Sequence, residues 1–469
     1  MAEYLSPGVY VEELPSTIRP IAGASTSTAG FVGIIKPGIL IPEENPTYDP
    51  TGRSTNPSDR NPFIEVPFPY DEAAYAAAKA KYDSLSEPGA RPPRIRRTST
   101  PPTAQDLKNF REAQRDFAVA SKRKAAGKLA DEGDPVLCTT FKDFTRSFGG
   151  FSTDSDQKKL VHAVYGFFNN GGSRCYVMRY ATIEALQDPA KGLIPFEAID
   201  EISMVAAPGI VDPVVQLSIV DHCTNMSDRF AILDPPAVTD TIDESSIRVM
   251  GNTDYGALYF PPICVFDPAT KLTVQDSDGQ ICIGPSGHMA GIYARVDHER
   301  GVHKAPANEV VRGALDIQVQ ISKALQDGLN PGGVNCIRNI NGNITVWGAR
   351  TIGGDDNTDK KYVNVCRALL FIRKSIERGT QWAVFEPNDR TLWAKLVRNI
   401  TAFLTNVWRD GALFGSTPKE AFYVKCDDET NPPEERDLGR VITEIGVAIV
   451  RPAEFVIIQI QQWEGELGQ

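Results

Sequence analysis

The sequence predicts a mixed α/β (α+β) protein of several domains, with an extended β segment at each end of the chain. Three observations lead to this prediction. Strand and helix alternate in the middle of the chain, a hairpin and two amphipathic helices occupy the last quarter, and β-prone runs without local partners lie near both ends. A chain of 469 residues is long enough for about three domains of ordinary size.

The middle of the chain carries the α/β signal. Residues 202–206 and 229–233 are apolar strand-like runs, and residues 212–225 between them have the pattern of a helix. A strand, a helix and a strand joined by short turns predict a parallel α/β unit. Further elements are predicted as follows: strands at 29–35, 174–179, 256–260 and 263–266, helices at 156–168 and 285–297, and a candidate helix around 309–315.

The last quarter begins with a predicted hairpin, because Asn341-Gly342 lies between two β-prone runs. A helix should follow, with one apolar stripe and with Gly379 at its left-handed C-terminal cap. That stripe consists of Val365, Leu369, Ile372 and Ile376. Residues 381–385 are predicted to be extended.

A second helix is predicted after Asn388, which is the expected N-cap. Its core-facing stripe contains Trp393, Leu396, Ile400, Phe403 and Val407. The opposite face carries Lys395, Arg398 and Arg409 and no acidic residue. This basic face is open to two interpretations, a solvated helix surface or a docking surface for an acidic partner.

Both ends of the chain contain β-prone runs that need a partner from elsewhere. Residues 8–12 precede every other predicted element, and residues 441–450 and 454–462 close the chain. Phe455 to Ile458 is apolar on both faces, so a strand there must be covered on both sides. We therefore expect these segments to add to a sheet formed by other parts of this subunit or by another subunit.

Residues 41–135 differ in composition from the rest of the chain. They are rich in proline and polar residues, and they contain two helical patches, at 71–84 and from Thr103 towards Gly127, where Asp106 completes a capping-box-like start. We interpret the segment as an inserted peripheral hairpin of helices. Its linker contains Arg91, Arg94, Arg96 and Arg97, which are either solvated or a binding site for an anionic surface.

Composition limits the possible partners. A net charge of −11 and a pI near 5.2 argue against general nucleic-acid binding, since a surface that follows phosphates needs clustered excess Lys and Arg. The eight cysteines are scattered in apolar runs and are expected to be buried thiols of a reducing compartment rather than disulfides. The sequence predicts neither a signal peptide nor a membrane span.

The search for enzymatic motifs predicts no enzyme, no metal and no cofactor. His298 and His303 lie five residues apart, so they leave the common helix face that a zinc-binding pair needs. Asp276 and Asp278 do not fit the spacing of a calcium-binding loop. The glycines near residues 284–291 have the wrong spacing for a dinucleotide-binding turn or a nucleophile elbow.

Several blocks, in this order, resemble contractile tail sheath proteins of phages and of phage-tail-like injection systems. The resemblance covers nearly the whole chain except residues 41–135. The blocks are SPGVYVEE at 6–13, STSTAGFVG at 25–33, YGFFNNGG at 165–172, RVD at 295–297, RGVHKAPAN at 300–308, LN at 329–330, GART at 348–351, YVNV at 362–365 and FEPN at 385–388.

The resemblance implies a multidomain sheath subunit. Its parts would be an N-terminal arm (1–24), a middle α/β body (25–40 and 136–340), a variable peripheral insertion (41–135), a C-terminal α/β sheath domain (341–450) and a C-terminal arm (451–469). The arms would exchange strands with neighbouring subunits. The residues expected to do so are Val9, Tyr10, Val11, Phe455, Val456, Ile457, Ile458 and Ile460.

The resemblance also implies a function and partners. Subunits would polymerise into a helical sheath around an inner tube, and contraction would drive the tube through a target membrane. Partners would be other copies of the chain, the inner tube protein, and baseplate and tail terminator or cap proteins. The particle would assemble in the bacterial cytoplasm as part of a phage tail or a phage-tail-like particle. Lys395, Arg398 and Arg409 are our candidates for the tube contact. The alternative is a static lattice or capsid-like protein without a contractile transition.

Overall fold

The computed structural model of the chain describes residues 20–45, 48, 62–68, 72–86, 103–126, 129–236, 242–248, 251–274 and 277–457. The β-strands are β1 (Ala29–Ile34), β2 (Ile39–Glu44), β3 (Phe63–Phe68), β4 (Val136–Cys138), β5 (Cys175–Tyr180), β6 (Met204–Ala206), β7 (Phe230–Leu233), β8 (Gly256–Phe260), β9 (Ile263–Phe266), β10 (Gln280–Ile283), β11 (Glu309–Val310), β12 (Ala314–Ile317), β13 (Val334–Ile340), β14 (Asn343–Val346), β15 (Phe422–Lys425) and β16 (Glu444–Val447).

The helices follow the same chain order. They are α1 (Glu72–Leu85), α2 (Ala104–Ala126), α3 (Phe141–Phe148), α4 (Ser155–Asn169), α5 (Ile183–Gln187), α6 (Ile194–Glu197), α7 (Pro213–Met226), α8 (Glu244–Ile247), α9 (Pro268–Thr273), α10 (Ser286–Arg300), α11 (Lys323–Leu329), α12 (Val363–Thr380), α13 (Arg390–Arg409), α14 (Pro418–Ala421) and α15 (Pro433–Asp437).

The chain folds into two compact units. Among the described residues, the smaller unit combines Phe371–Val450 with residues 20–24, and the larger unit combines Ser25–Leu370 with residues 451–457. The boundary falls within α12, whereas the sequence analysis placed the start of a C-terminal domain at residue 341. The difference arises because the hairpin β13–β14 joins the large sheet, where β13 pairs in parallel with β8.

A mixed sheet of nine described strands forms the centre of the larger unit, in the order β11-β14-β13-β8-β7-β6-β1-β5-β4. Six neighbouring strands pair in parallel, and these are β13, β8, β7, β6, β1 and β5. At one edge β4 pairs antiparallel with β5, and at the other edge β14 pairs antiparallel with β13 and with β11. The strand–helix–strand unit β6–α7–β7 is parallel as predicted, and the α/β fold class is confirmed. Asn341 and Gly342 both have positive φ, at 52° and 85°, as a two-residue hairpin turn requires.

Alternate residues of the parallel strands supply the cores on the two faces of the sheet. Phe31, Ile232 and Tyr259 face one core, which α4 and α10 cover. Val32 and Ala231 face the other core, to which α7 contributes. Strands that are buried on both faces read as continuous apolar runs, which is why the sequence signal for these strands was clear.

Glycines allow α4 and α10 to pack closely. A Cβ added at Gly287 would lie 2.4 Å from the backbone oxygen of Ala163, and one at Gly291 would lie 2.4 Å from the backbone oxygen of Phe167. Gly284 has a different neighbour, since its added Cβ would meet the buried carboxylate of Asp234 at 2.3 Å. The glycines that did not fit any cofactor motif are therefore positions of close packing.

A second, three-stranded sheet, β10-β9-β12, corrects two predictions. The candidate helix around 309–315 was wrong, because the chain there forms the short strands β11 and β12. The expectation of free thiols was wrong for Cys264 and Cys282, which face each other in the β9–β10 register and form a disulfide. Cys138, Cys175, Cys223, Cys336, Cys366 and Cys426 are buried free thiols, as predicted.

The described part of residues 41–135 contains the two predicted helices, packed against each other. The rings of Tyr82 and Phe117 stack with centroids 5.0 Å apart. Thr103 and Asp106 form the expected reciprocal cap, since each backbone N–H donates to the other's side chain. The antiparallel pair of β2 and β3 was not predicted, because prolines at 42 and 67 obscure the strand pattern.

The smaller unit packs α13 and the second part of α12 against the two-stranded sheet β15–β16. The rings of Phe371 and Phe403 lie 6.1 Å apart, and Ile21 joins the same core. Gly379 was predicted to end α12, but the helix continues to Thr380. A Cβ at Gly379 would lie 2.5 Å from Ile21, so this glycine makes room for the N-terminal segment.

The connection between α12 and α13 differs from the prediction. Residues 381–383 form a 3-10 turn rather than an extended run. Asp389, not Asn388, caps α13, and its carboxylate accepts a hydrogen bond from the backbone N–H of Leu392 at 2.8 Å. Asn388 instead accepts a hydrogen bond from the indole N–H of Trp393 and donates one to the backbone oxygen of Arg440.

Candidate subunit-contact surfaces

The predicted strand-exchange residues fall into two groups. Phe455, Val456 and Ile457 are described, and their exposed fractions are 70%, 79% and 83%. The remaining residues lie outside the described part of the chain, and these are Val9, Tyr10, Val11, Ile458 and Ile460. The described portion of the predicted strand at 454–462 contains no strand, because its backbone forms no hydrogen bond with the backbone of the described chain. Of the run predicted at 441–450, only β16 and an isolated bridge at Ile449 are strand-like.

Glu454, next to this exposed apolar segment, is held in place by its side chain. Arg350 donates two hydrogen bonds to the carboxylate, from Nε to Oε1 at 2.7 Å and from Nη2 to Oε2 at 2.9 Å. Asn330 Nδ2 donates to Oε1 at 2.9 Å, and the hydroxyl of Tyr362 donates to Oε2 at 2.9 Å. We refer to Arg350, Asn330 and Tyr362 as the carboxylate socket.

The electrostatics of the socket favour a charged Glu454. Partial burial alone would raise the pKa of Glu454, but the hydrogen bonds from Arg350, Asn330 and Tyr362 outweigh it and lower that pKa below its ordinary value. Burial, together with the hydrogen bond to Glu454, raises the pKa of Tyr362 to about 12. The tyrosine therefore stays a hydrogen-bond donor and Glu454 an anion throughout the neutral range.

The sheet β15–β16 offers edges to which further strands could add. The two strands pair with each other from Phe422↔Val447 to Lys425↔Glu444, and no third strand pairs with either within the described chain. Beside them, Phe414 is 73% exposed and Tyr423 is 59% exposed. A two-stranded sheet with unpaired backbone groups and exposed aromatic side chains is typical of a site of strand addition.

The basic face of α13 lies on the surface, as the periodicity predicted. Arg398 and Arg409 are exposed, and Lys395 is half-buried. None of the three forms an ion pair within the described residues. The opposite side of the helix is buried and includes Trp393 and Ile400. This arrangement leaves three cations available to an acidic partner surface.

The predicted absence of a metal site concerns the acidic, histidine and cysteine side chains. The described residues contain no group of three or more His, Cys, Asp or Glu side chains arranged to hold a metal ion. His298 lies in the last turn of α10, and His303 follows the end of that helix. The helices that the structure describes include none with the length and apolarity needed to cross a membrane.

Models of two known domain families match this chain, and the matched residues lie in both compact units. The model of the phage tail sheath protein central domain matches residues 196–352, and the model of the phage tail sheath C-terminal domain matches residues 355–462. The two models are adjacent, in the expected order, and together span more than half of the chain. The chain belongs to the contractile tail sheath family. It is a structural subunit of a contractile sheath.

Individual sheath proteins agree with this assignment. The putative prophage major tail sheath protein of Pseudomonas aeruginosa (strain UCBPP-PA14) is 24% identical over 368 residues, which cover 71% of this chain and 87% of that protein. The tail sheath protein of Burkholderia phage BcepMu is 27% identical over 227 residues, which cover 47% of this chain and 43% of that protein.

Two solved structures share the fold over nearly the whole length of the chain. The sheath complex of the extracellular contractile injection system PVC, in its contracted state, has a TM-score of 0.65 and 25% identity and covers 99% of both chains. A chain of the anti-feeding prophage (AFP) baseplate has a TM-score of 0.62 and 24% identity, covering 98% of this chain and 99% of that one.

The exposed apolar segment of this sheath protein was predictable from its sequence, but the socket beside it was not. Glu454 was counted only as the start of a β run, and Arg350 only as part of a family block. A single acidic residue immediately before an apolar terminal run was the available signal. Its partners come from chain positions 92, 104 and 124 residues away, so local pattern could not identify them.

Proposed function

We propose that this chain polymerises into a helical sheath around an inner tube and that contraction of the sheath drives the tube through a target membrane. Family membership and the likeness to a sheath complex in a contracted state support this proposal. Each subunit gains more favourable contacts in the contracted state. A gain of a few kcal/mol per subunit, summed over many subunits, supplies the mechanical work.

Subunits in this proposal are joined by strand exchange. Residues from each arm add to the β15–β16 sheet of a neighbouring copy, through Val9, Tyr10 and Val11 at one end and through Phe455 to Ile460 at the other. The observation that carries this proposal is the exposure of Phe455, Val456 and Ile457, three consecutive apolar residues. Contacts between different surfaces of identical subunits build a ring if the rotation between subunits closes and an open helical filament if it does not, and a helical sheath requires the second case.

The basic face of α13 is proposed to contact the inner tube before contraction. Support comes from the exposure of Arg398 and Arg409 and from the lack of ion pairs to Lys395, Arg398 or Arg409 in the described structure. Attraction between this face and an acidic tube would be weakened by salt, because exposed charges are screened over about 8 Å at physiological ionic strength.

The remaining partners follow from the particle in which the chain would act. We propose contacts with a baseplate at one end and with a tail terminator or cap protein at the other. One solved neighbour is a chain of the AFP baseplate, which supports the first of these. The particle would be a phage tail or a phage-tail-like particle assembled in the bacterial cytoplasm, with residues 41–135 as a peripheral insertion.

A static lattice or capsid-like subunit is the competing proposal. It would use the same exposed apolar arm but would have one assembled state. The likeness to a sheath in its contracted state favours the contractile alternative.

The test is electron microscopy of particles made with full-length chains. Two arm residues, Phe455 and Ile457, are both replaced by Asp, and the matched control replaces the exposed Val214 and Leu217 of α7 by Asp. We expect long hollow tubes in two diameters from the wild-type chain and the control, and none from the arm variant. Tubes from the arm variant would contradict exchange of this arm, and a single tube diameter under all triggering conditions would favour the static lattice.

A further inference from the structure

One side chain makes the hydrogen bonds between the segment from Arg451 to Ile457 and the rest of the described chain. All hydrogen bonds of this segment in the described structure involve the carboxylate of Glu454. The backbone of residues 451–457 forms none with the described chain. Immediately after Glu454, Phe455 is 70% exposed, so the change from held to free chain occurs within one residue.

The socket that holds Glu454 is itself rigidly built. Arg350 is 3% exposed, and its Nη1 donates to the backbone oxygen of Asn330 at 2.9 Å and to Asp355 at 3.1 Å. Its backbone N–H donates to Asn335 at 2.6 Å, and its backbone forms an isolated bridge with Tyr362. Contacts independent of Glu454 thus hold the side chain of Arg350 and join its neighbours Asn330 and Tyr362 to it through their backbones.

The positive charge of Arg350 requires a carboxylate at the position that the Glu454 side chain fills in the socket. The guanidinium of Arg350 is buried, and its other anionic partner, Asp355, has a side chain that is 50% exposed. A buried cation that loses its main counter-ion bears a large desolvation cost. Glu454 satisfies both prongs of the guanidinium with bidentate geometry, which is the strongest arrangement for an arginine and a carboxylate.

We propose that the carboxylate socket is the anchor of the C-terminal arm. Glu454 fixes the point and the direction from which Phe455, Val456 and Ile457 leave the subunit, and sheath assembly depends on Glu454 although its carboxylate contacts only its own chain. This inference rests on the proposed exchange of the C-terminal arm. It adds a positioning site, within the larger unit, to the residues that make the exchanged contacts.

Assembly depends on Glu454 because ordering the C-terminal arm costs conformational entropy. A strand that must pair with a neighbouring copy loses conformational freedom when it binds, and a preorganised starting point reduces that loss. If Glu454 is released, the same arm starts from a variable position, so the local concentration of its strand at the acceptor sheet falls.

The experiment uses three full-length variants in cells that produce the particle. Glu454→Gln keeps the shape of the side chain but removes its charge, and Tyr362→Phe removes one of the four hydrogen bonds. Glu299→Gln, at an exposed glutamate of α10, is the matched control. The purified chains are digested briefly with chymotrypsin, and the initial rate of cleavage after Phe455 is measured by mass spectrometry beside the thermal midpoint.

We expect Glu454→Gln to raise the cleavage rate at Phe455 by about tenfold, since the hydrogen bonds lost are to a charged group. Tyr362→Phe should raise the rate less, and Glu299→Gln should leave it unchanged. The thermal midpoint of Glu454→Gln should fall, because the buried Arg350 loses its main counter-ion, but the initial rates of cleavage at sites other than Phe455 should match those of the control, while the number of assembled sheaths falls. An ion pair with a purely structural role would instead accelerate cleavage throughout the chain.

The result that overturns the proposal is a Glu454→Gln chain with the cleavage rate and sheath yield of Glu299→Gln. The Phe455→Asp, Ile457→Asp double variant separates this failure from failure of arm exchange. If the double variant fails to assemble while Glu454→Gln assembles normally, exchange stands and anchoring is wrong. If the double variant assembles while Glu454→Gln is cleaved faster, anchoring stands and exchange of this arm is wrong.

Discussion

Asp297 and Arg367 form a buried, two-pronged ion pair that joins the end of α10 to α12. Arg367 Nη1 and Nη2 lie 2.9 and 2.6 Å from the two carboxylate oxygens, and both side chains are 4% exposed. Arg367 also donates to the backbone oxygen of Thr26, and its guanidinium lies 4.6 Å from the ring centroid of Tyr293. One cation thus links three chain segments of the larger unit.

Replacing Asp297 by Ala should strongly destabilise the larger unit. The variant leaves the guanidinium of Arg367 buried without its counter-ion, which typically costs about 3–5 kcal/mol. Urea unfolding followed by fluorescence measures the change in the free energy of unfolding. Glu299→Ala, two residues further along the same helix and exposed, is the control. A loss below about 1 kcal/mol for Asp297→Ala would mean that the pair is far better solvated than its geometry implies.

This pair also illustrates what the sequence could predict. Strands such as β1, β5 and β7 were found because burial on both faces produces continuous apolar runs, and α13 was found because its stripe is strongly periodic. The ion pair was not found, because Asp297 and Arg367 are 70 residues apart and each looks like an ordinary surface charge on a helix. Long-range polar contacts leave no local pattern.

Short elements and strands at sheet edges were also not predicted from the sequence. Strand β11 has two residues and β12 four, so neither carries enough alternation to distinguish it from a helix turn. The seven-residue helix α11 was also missed. Among the contact surfaces, the exposed apolar arm was predictable from composition, whereas the socket around Glu454 depends on tertiary contacts.

The stability of the larger unit should fall as the pH drops below neutrality, in part because of His222. Burial, and then the nearby Arg229, lower the pKa of His222 to about 4, although Asp228 acts in the opposite direction. The folded-state pKa lies below the unfolded value of about 6.5. Between these values the unfolded chain binds one more proton. Stability is therefore complete above pH 6.5 and is lost at about 1.4 kcal/mol per pH unit as the pH falls towards 4.

The measurement is the free energy of unfolding in urea at several pH values between 7 and 4.5, for the wild-type chain and for His222→Gln. The difference between the two chains should change by about 1.4 kcal/mol per pH unit below pH 6.5 and stay constant above it. His288, whose pKa burial lowers to about 3, contributes a similar slope to both chains and cancels in the comparison. Parallel curves would show that His222 does not titrate differently in the two states.

Phe385 should be a position where substitution stabilises the smaller unit. Its φ is 68°, in the left-handed region, and its side chain is fully exposed at 102%. This conformation destabilises a bulky residue by about 1–2 kcal/mol, whereas asparagine tolerates it. No packing is lost on replacement, because the ring is in solvent. We expect Phe385→Asn to raise the free energy of unfolding by about 1 kcal/mol.

Val384 provides the matched control for this prediction, since it is 63% exposed and has an ordinary φ of −68°. Val384→Asn removes a neighbouring exposed apolar side chain without relieving backbone strain. Urea unfolding of both variants separates the two effects. If both variants change the free energy of unfolding equally, the effect of Phe385→Asn comes from replacing an exposed apolar side chain by a polar one and not from relief of backbone strain.

Charge reversal on α13 should weaken binding to the inner tube without changing the folding of the chain. Replacing Lys395 and Arg398 by Glu changes side chains that form no ion pair within the described structure, and the buried side of the helix stays intact. We expect the circular dichroism spectrum and the thermal midpoint to stay close to those of the wild-type chain. Binding to the inner tube should fall by at least tenfold, because attraction to an acidic surface becomes repulsion.

The control carries the same change in charge elsewhere, with Lys323 and Lys419, both exposed, replaced by Glu. Co-sedimentation with purified inner tubes, repeated at low and high salt, is the measurement. If the basic face contacts the tube, the wild-type chain and the control lose binding as salt rises, and the α13 variant binds weakly at every salt concentration. If the α13 variant binds as well as the control, the three cations form a solvated face, and the tube contact lies on another surface of the sheath subunit.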